Sequence, residues 1–440
     1  MKPDGSVGSP GLHRGLGRFD VVALCVNSIV GAGVFALPAG LALDAGRYSL
    51  WIIFAAFAVV GFLALSLAEV SSRYDVTGGP QVYAQRVFGP LAGFTIGWLF
   101  SVSRIASYAL VAQVMLQYAA EVWPALASPG PRAAALTVFT FALAAVNVAG
   151  VTRGAWTGNL LTVAKLLPLG LIALAGVWYA GWNEIPSNDP REPDGLLTAL
   201  NVAIWACVGF DVAAIVSGEM RNPRRDLPAS ILGGLAISCL LYLLLMLACY
   251  GVLADTAASK LPLMDVAEHF IGPAGATLMG LAAVVSAAGG LAVQMLVAPR
   301  LVFALSQAGD LPPVLAAVHR AFRTPHVAIV VYAVLAWLLA ISGAFKYVLA
   351  IFVIARLLVY GSTAAALIVL RRREGPAPVP VPGGTVVAVL ALAACIAIVT
   401  TQSWRSVRDV VIVLAIGLAI RGLVRWRTAR AQSGQVRPSS

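Results

Sequence analysis

The chain has 440 residues, of which 60% are hydrophobic and only 11% charged, and its mean hydropathy is +0.88. Soluble domains are about one-quarter charged, so this composition excludes a water-soluble enzyme or scaffold and places the chain in a lipid bilayer. The net charge of +11 lies at the ends of apolar segments and forms no patch interleaved with exposed aromatics, which excludes nucleic acid as a partner.

Residues 1–18, rich in Gly and Ser, lack an apolar stretch and read as a disordered cytoplasmic tail. Counting uncharged runs near the spanning length of about 20 residues then gives twelve transmembrane segments. They fall near 20–43, 50–70, 91–119, 133–150, 156–179, 196–218, 229–252, 273–303, 327–343, 346–370, 382–400 and 407–424. Residues 426–440 read as a second cytoplasmic tail. Arginines alternate between loops: Arg73 and Arg86, Arg153, Arg221 with Arg224 and Arg225, Arg320 with Arg323, and Arg371 to Arg373 share one side with both termini. By the positive-inside rule that side is the cytoplasm of a cell-membrane protein. The NPRRDLP stretch from Asn222 to Pro228 reads as a rigid cytoplasmic connector.

Two spans have interrupted middles: Asn27 to Pro38 (NSIVGAGVFALP) in the first, and Trp205 to Asp211 (WACVGFD) in the sixth. Each break lies about eleven residues from a helix end, roughly 16 Å, near the midplane of a core about 30 Å thick. A lone glycine in a membrane helix usually serves close packing. Paired breaks five helices apart are instead what an inverted repeat places at its pseudo-twofold axis. Free backbone N–H and C=O groups persist in lipid only where they line a cavity or bind something, so a midplane ligand site is predicted. N–H groups following Gly31 suit a carboxylate. Carbonyls around Ile29, Val30 and Gly31, and around Cys207, Val208 and Gly209, suit an ammonium. Both groups belong to an amino acid, and the small residues Gly31, Ala32 and Gly33 let it approach the backbone.

These motifs resemble those of the amino acid–polyamine–organocation superfamily of permeases. GAGVFALP resembles its first-helix signature. AEVSSRYDVTGGPQVYAQRVFGPLAGFTIGW, from Ala68 to Trp98, resembles its second-to-third-helix stretch. VGFDVAAIVSGEMRNPRRDLPASI resembles the sixth-helix exit of bacterial and cationic amino acid transporters, departing at Met220, where a second Glu is common. VVSAAGGLAVQMLVAPRLVFALSQAGDLPPVLAAVH matches the eighth helix, with Gln307 and Ala308 at variant positions. The resemblance implies an all-α integral membrane protein of LeuT-like fold: repeats over 19–180 and 195–371, peripheral helices over 380–425, and alternating access to a central site. It also implies that Ile29 to Gly33 hold the substrate's charged backbone groups and that Trp205 is an aromatic gate. Cys207 to Phe210 would then supply amine-binding carbonyls, with Phe210 lining the side-chain pocket.

Among the four lysines, only Lys165 sits within a span. It lies roughly 14 Å deep, too far for its stem to snorkel comfortably, and an intramembrane ionisable group is a functional candidate. In proton-coupled members of the resembled family, a fifth-helix lysine stands where sodium-coupled relatives bind sodium. Its ammonium would contact carbonyls of the broken first span, with Ser286 as a further partner. Asp211 reads as a gating or proton-sensing acid, or as half of an ion pair. Arg104 and Arg356 either pair with Asp211 or with carbonyls, or read an anionic substrate side chain. Tyr108, one turn beyond Arg104, is expected at the vestibule. Glu69 and Glu219 read as solvated salt-bridge partners of loop arginines, and Arg300 as a lock on the span-eight exit.

The expected activity is therefore proton-coupled amino acid symport, with an amino acid or amine exchanger of the same fold as the alternative and a flux-less sensor as a remote one. No Walker A sequence is present, and no catalytic triad, HExxH or Cys/His metal spacing, so neither ATP, enzyme chemistry, a metal nor another cofactor is expected. The neutral candidates Trp205, Cys207, Phe210 and Tyr108 lean toward a neutral or apolar substrate, whereas Asp211 would favour a cation and Arg104 an anion. Oligomeric state is not legible.

Overall fold

The computed structural model describes residues 17–74, 79–150, 154–179, 189–190, 194–215 and 220–435, and every regular element among them is helical. Residues 1–16 of the expected N-terminal tail and Glu219 lie outside these residues, and Arg18 already begins the first helix. Among the described residues, eight helical stretches are long and apolar enough to cross a bilayer, and two shorter apolar helices accompany them. The core is apolar, but so is much of the outside: Phe54, Leu171, Leu174 and Leu338 are exposed, whereas Glu69, Asp211 and Arg356 are buried. This is the pattern of a chain whose solvent is hydrocarbon.

The first span is made of two half-helices, α1 (Arg18–Ile29) and α2 (Gly33–Ala45). Val30 leaves the helical region at φ −73°, ψ 74°, and the Gly31 N–H turns back onto the Ile29 carbonyl at 2.7 Å. After α3 (Ser49–Ser71), α4 (Pro80–Phe88) and α5 (Pro90–Val122), the chain continues through α6 (Pro129–Ala149) and α7 (Gly154–Tyr179). The sixth span is broken likewise: α8 (Gly195–Cys207) ends, Val208 is extended at φ −82°, ψ 146°, and α9 (Val212–Ile215) resumes. Between them Gly209 has φ +138°, a conformation open to glycine at little cost.

The two breaks meet. A Cβ on Gly209 would stand 2.6 Å from the Ser28 carbonyl oxygen, and one on Gly33 would stand 2.7 Å from the Ala206 Cα, so only glycine permits this crossing. Around it pack α5, α7, α10 (Pro223–Val252), α12 (Pro273–Gln307) and α14 (Phe345–Glu374). The remaining helices are α11 (Pro262–Ile271), α13 (His326–Ile341), α15 (Gly384–Thr401) and α16 (Trp404–Gln435).

Several expectations change here. The NPRRDLP stretch is not a connector: Pro223 begins α10 at the first helical position, where its missing N–H costs nothing, and Pro228 lies inside the helix. Helix α16 runs on to Gln435, through the first residues of the expected C-terminal tail. Arg300 donates to the Leu296 carbonyl of its own helix. Glu69 is not solvated. It is buried, takes a two-pronged pair from Arg371 (2.7 and 2.7 Å) and accepts the Val381 N–H at 3.0 Å, tying α3 to the end of α14 and the turn beyond it. Similar ties join Asp310 to Arg421 of α16 at 2.7 Å, and the amides of Asn201 and Gln402 reciprocally at 3.1 and 3.0 Å.

Candidate binding site at the crossed helix breaks

A cavity of about 130 Å³ opens where the two breaks cross. That is close to the size of an apolar cavity that holds a benzene-sized solute, about 150 Å³. The breaks contribute Ile29, Gly31, Ala32, Gly33, Val208 and Gly209; α8 contributes Trp205; α5, α7, α12 and α14 contribute Arg104, Lys165, Ser286 and Arg356.

Lys165 is buried, and its ammonium donates to the carbonyls of Asn27 and Val30 at 2.6 Å each. Both acceptors lie in the last turn of α1 or the gap after it, where helical carbonyls have no intrahelical partner. The cation therefore sits on the negative end of a half-helix dipole. Ser286 faces the same cavity without completing the expected contact: among the described residues its hydroxyl has no hydrogen-bond partner.

A second tie joins the breaks directly. Tyr242 of α10 is fully buried, and its hydroxyl stands 2.9 Å from both the Ile29 and the Ala206 carbonyl oxygens. One phenolic proton is thus shared between the ends of the two half-helices. These contacts use lone pairs of Ile29 and Val30 that the sequence reading reserved for a substrate amine. Each carbonyl retains a second lone pair.

Beside the sixth-span break lies a charged cluster. Asp211, fully buried, accepts from Arg104 Nη2 at 2.6 Å, from the Tyr360 hydroxyl at 2.8 Å and from Arg356 Nη1 at 3.4 Å. The two guanidiniums also share the Phe100 ring, at 5.0 and 4.7 Å from its centroid. The ion-pair reading of Asp211, Arg104 and Arg356 is thus what the geometry displays, and neither arginine uses backbone carbonyls for it.

Four predicted lining residues stand elsewhere; one of them, Val30, is fully buried and offers Lys165 its carbonyl without lining the cavity. Tyr108 is buried behind the cavity, donating to Thr140 at 3.2 Å and meeting Tyr332 edge-on. The Phe210 side chain turns from the cavity and stacks on Tyr360 with ring centroids 5.0 Å apart. Cys207 is buried and is not part of the lining. Trp205 does line the cavity, held edge-on by Phe345 at 5.8 Å. Local spacing places residues along a helix; which side of the helix meets the partner break depends on packing that spacing does not encode.

Comparison with known families bears on what this cavity serves. A family model described as amino acid permease matches residues 16–420. The chain belongs to the amino acid permease family. An uncharacterised transporter of Mycobacterium tuberculosis is 30% identical over 432 residues, covering 96% of this chain and 93% of its own. The branched-chain amino acid permease BcaP of Bacillus subtilis is 27% identical over 435 residues (94% and 93%), and the serine/threonine exchanger SteT of the same organism 27% over 331 (72% and 74%). Together with the eight helices among the described residues that are long and apolar enough to span, this makes the permease a multi-pass membrane protein.

Sequence reasoning did not single out Tyr242 or Tyr360, which stand behind the breaks, nor Gln294 of the cavity wall. Tyr360 had a local signal, one turn beyond Arg356. Tyr242 had none: it stands in the apolar run LLYLLL, and its partners are 213 and 36 residues away.

Proposed function

We propose that this permease is a proton-coupled secondary active amino acid symporter of the cell membrane, with both termini cytoplasmic. Its fold is of LeuT-like type, with twelve spans: inverted repeats over 19–180 and 195–371 and two peripheral helices. The substrate's carboxylate meets the N–H groups that open α2, and its ammonium meets carbonyls at the two breaks. Alternating access exposes the cavity to either side in turn.

The observation that carries this reading is the Lys165 ammonium held on the Asn27 and Val30 carbonyls. A titratable cation there ties α7 to the broken span, so its charge state is coupled to the position of α1. Protonated, Lys165 braces the helices in the outward-facing state. On deprotonation toward the cytoplasm the brace is released and the substrate leaves. A sodium ion is disfavoured beside it, because two positive charges a few ångströms apart repel strongly in a dry pocket.

The test is flux in liposomes carrying the purified chain. Uptake of a labelled amino acid mixture into empty vesicles, driven by an inward proton gradient, supports symport. Uptake only into vesicles preloaded with amino acid, as the exchanger among the relatives would show, refutes symport in favour of exchange.

A further inference from the structure

The neutral-substrate reading rests on four side chains, and the structure keeps only Trp205 of them at the cavity. Most of the remaining wall is apolar, with Val111, Val208, Val293 and Phe352 among it, and three cations are set into it. Lys165, Arg104 and Arg356 all face the cavity, and among the described residues lining it there is no carboxylate. The nearest acid, Asp211, lies behind the wall with both oxygens engaged: Oδ1 by Tyr360 and Oδ2 by the two arginines. One carboxylate against three cations leaves the site with a positive surplus, and a buried surplus is costly until something compensates it. A zwitterion compensates none of it, since its own charges cancel.

The donors tell the same story. A guanidinium carries about five N–H groups, yet Arg104 places one side-chain bond, to Asp211, and Arg356 places two, to Asp211 and Tyr360. Among the described residues, Arg104 Nε and Arg356 Nε are buried without partners, and so is the Ser286 hydroxyl. Buried donors of this kind are paired in nearly every folded protein, so a cluster of them around one cavity points to a ligand. Cationic substrates find no free acid here. Large apolar side chains would bury the guanidiniums without bonding them.

We propose that the cavity selects amino acids with an anionic side chain, whose carboxylate docks on the guanidinium groups of Arg104 and Arg356. This assignment rests on the transport reading above and adds its substrate class. Arginine presents planar, paired donors that match a carboxylate, so the site discriminates L-glutamate from its neutral isostere L-glutamine. A site built to bond a polar group rejects the analogue that lacks the charge, because its own donors are then left bare.

The experiment is isothermal titration of the purified full chain in detergent with L-glutamate, L-aspartate, L-glutamine, L-leucine and L-arginine. The proposal expects an acidic amino acid to bind at least tenfold tighter than L-glutamine, and Arg356→Gln to reduce that ratio at least tenfold. Arg356→Lys, which keeps the charge but not the paired donors, retains part of the preference. Should Arg356→Gln fail to fold, the wild-type ratio and Arg356→Lys decide alone. L-glutamine or L-leucine binding as tightly as L-glutamate would overturn this assignment and leave the transport reading standing. Binding of none of the five overturns both.

Discussion

Replacing Asp211 by Asn removes the negative charge that two buried guanidiniums share while nearly preserving shape. The amide oxygen can still accept from Tyr360, now at 2.8 Å, so the loss falls on Arg104 at 2.6 Å and Arg356 at 3.4 Å. Removing one partner of a buried ion pair costs about 3–5 kcal/mol, because the other charge is left uncompensated. The retained hydrogen bond places Asp211→Asn at the lower end, about 3 kcal/mol. Unfolding in mixed detergent micelles, followed by tryptophan fluorescence, reads the difference. Because Arg104 and Asp211 are in contact, the cycle with Arg104→Gln gives a coupling of about 1–3 kcal/mol. A variant within about 0.5 kcal/mol of the wild type, or a coupling near zero, would refute the claim that Asp211 is the counter-charge of this cluster.

Other consequences follow from the same geometry. Gly209→Ala forces a Cβ to φ +138° and within 2.6 Å of the Ser28 carbonyl, so a cost of at least about 1–3 kcal/mol and a lower yield of monodisperse protein in size-exclusion chromatography are expected; wild-type yield and stability would contradict the crossing of the breaks. Tyr242→Phe deletes the hydroxyl between Ile29 and Ala206 and leaves buried carbonyls short of a donor, at about 1–3 kcal/mol in the same unfolding assay. Glu69→Gln breaks the two-pronged pair with Arg371 and lowers the unfolding temperature in detergent, whereas the exposed pair Arg47–Asp189 tolerates Asp189→Asn with little change; equal effects at the two sites would contradict the burial argument.

The breaks were legible because they are written in backbone chemistry. Gly31, Gly33 and Gly209 interrupt otherwise continuous apolar runs, and the structure opens the helices within a residue or two of each. Lys165 was legible for a related reason: a lone charge deep in an apolar run must find partners, and few besides freed carbonyls exist at that depth. The orientation of neutral side chains was not. Phe210 and Tyr108 sit on the right segments, yet face Tyr360 and Thr140 because the rotation of each helix is set by distant packing. Short helices α4 and α11 also escaped the span count, since nine and ten residues cannot cross a bilayer and carry no spanning signal. The burial of Glu69 depended on Arg371, 302 residues away in sequence, and a helix-end acid looks the same on the page whether solvated or sealed.

The most direct measurement is concentrative uptake into proteoliposomes under an inward proton gradient, comparing the wild type with Lys165→Ala. Coupling through the Asn27 and Val30 carbonyls predicts accumulation in the wild type that vanishes in the variant, while counterflow between equal amino acid pools persists. Accumulation by Lys165→Ala at the wild-type level would contradict it.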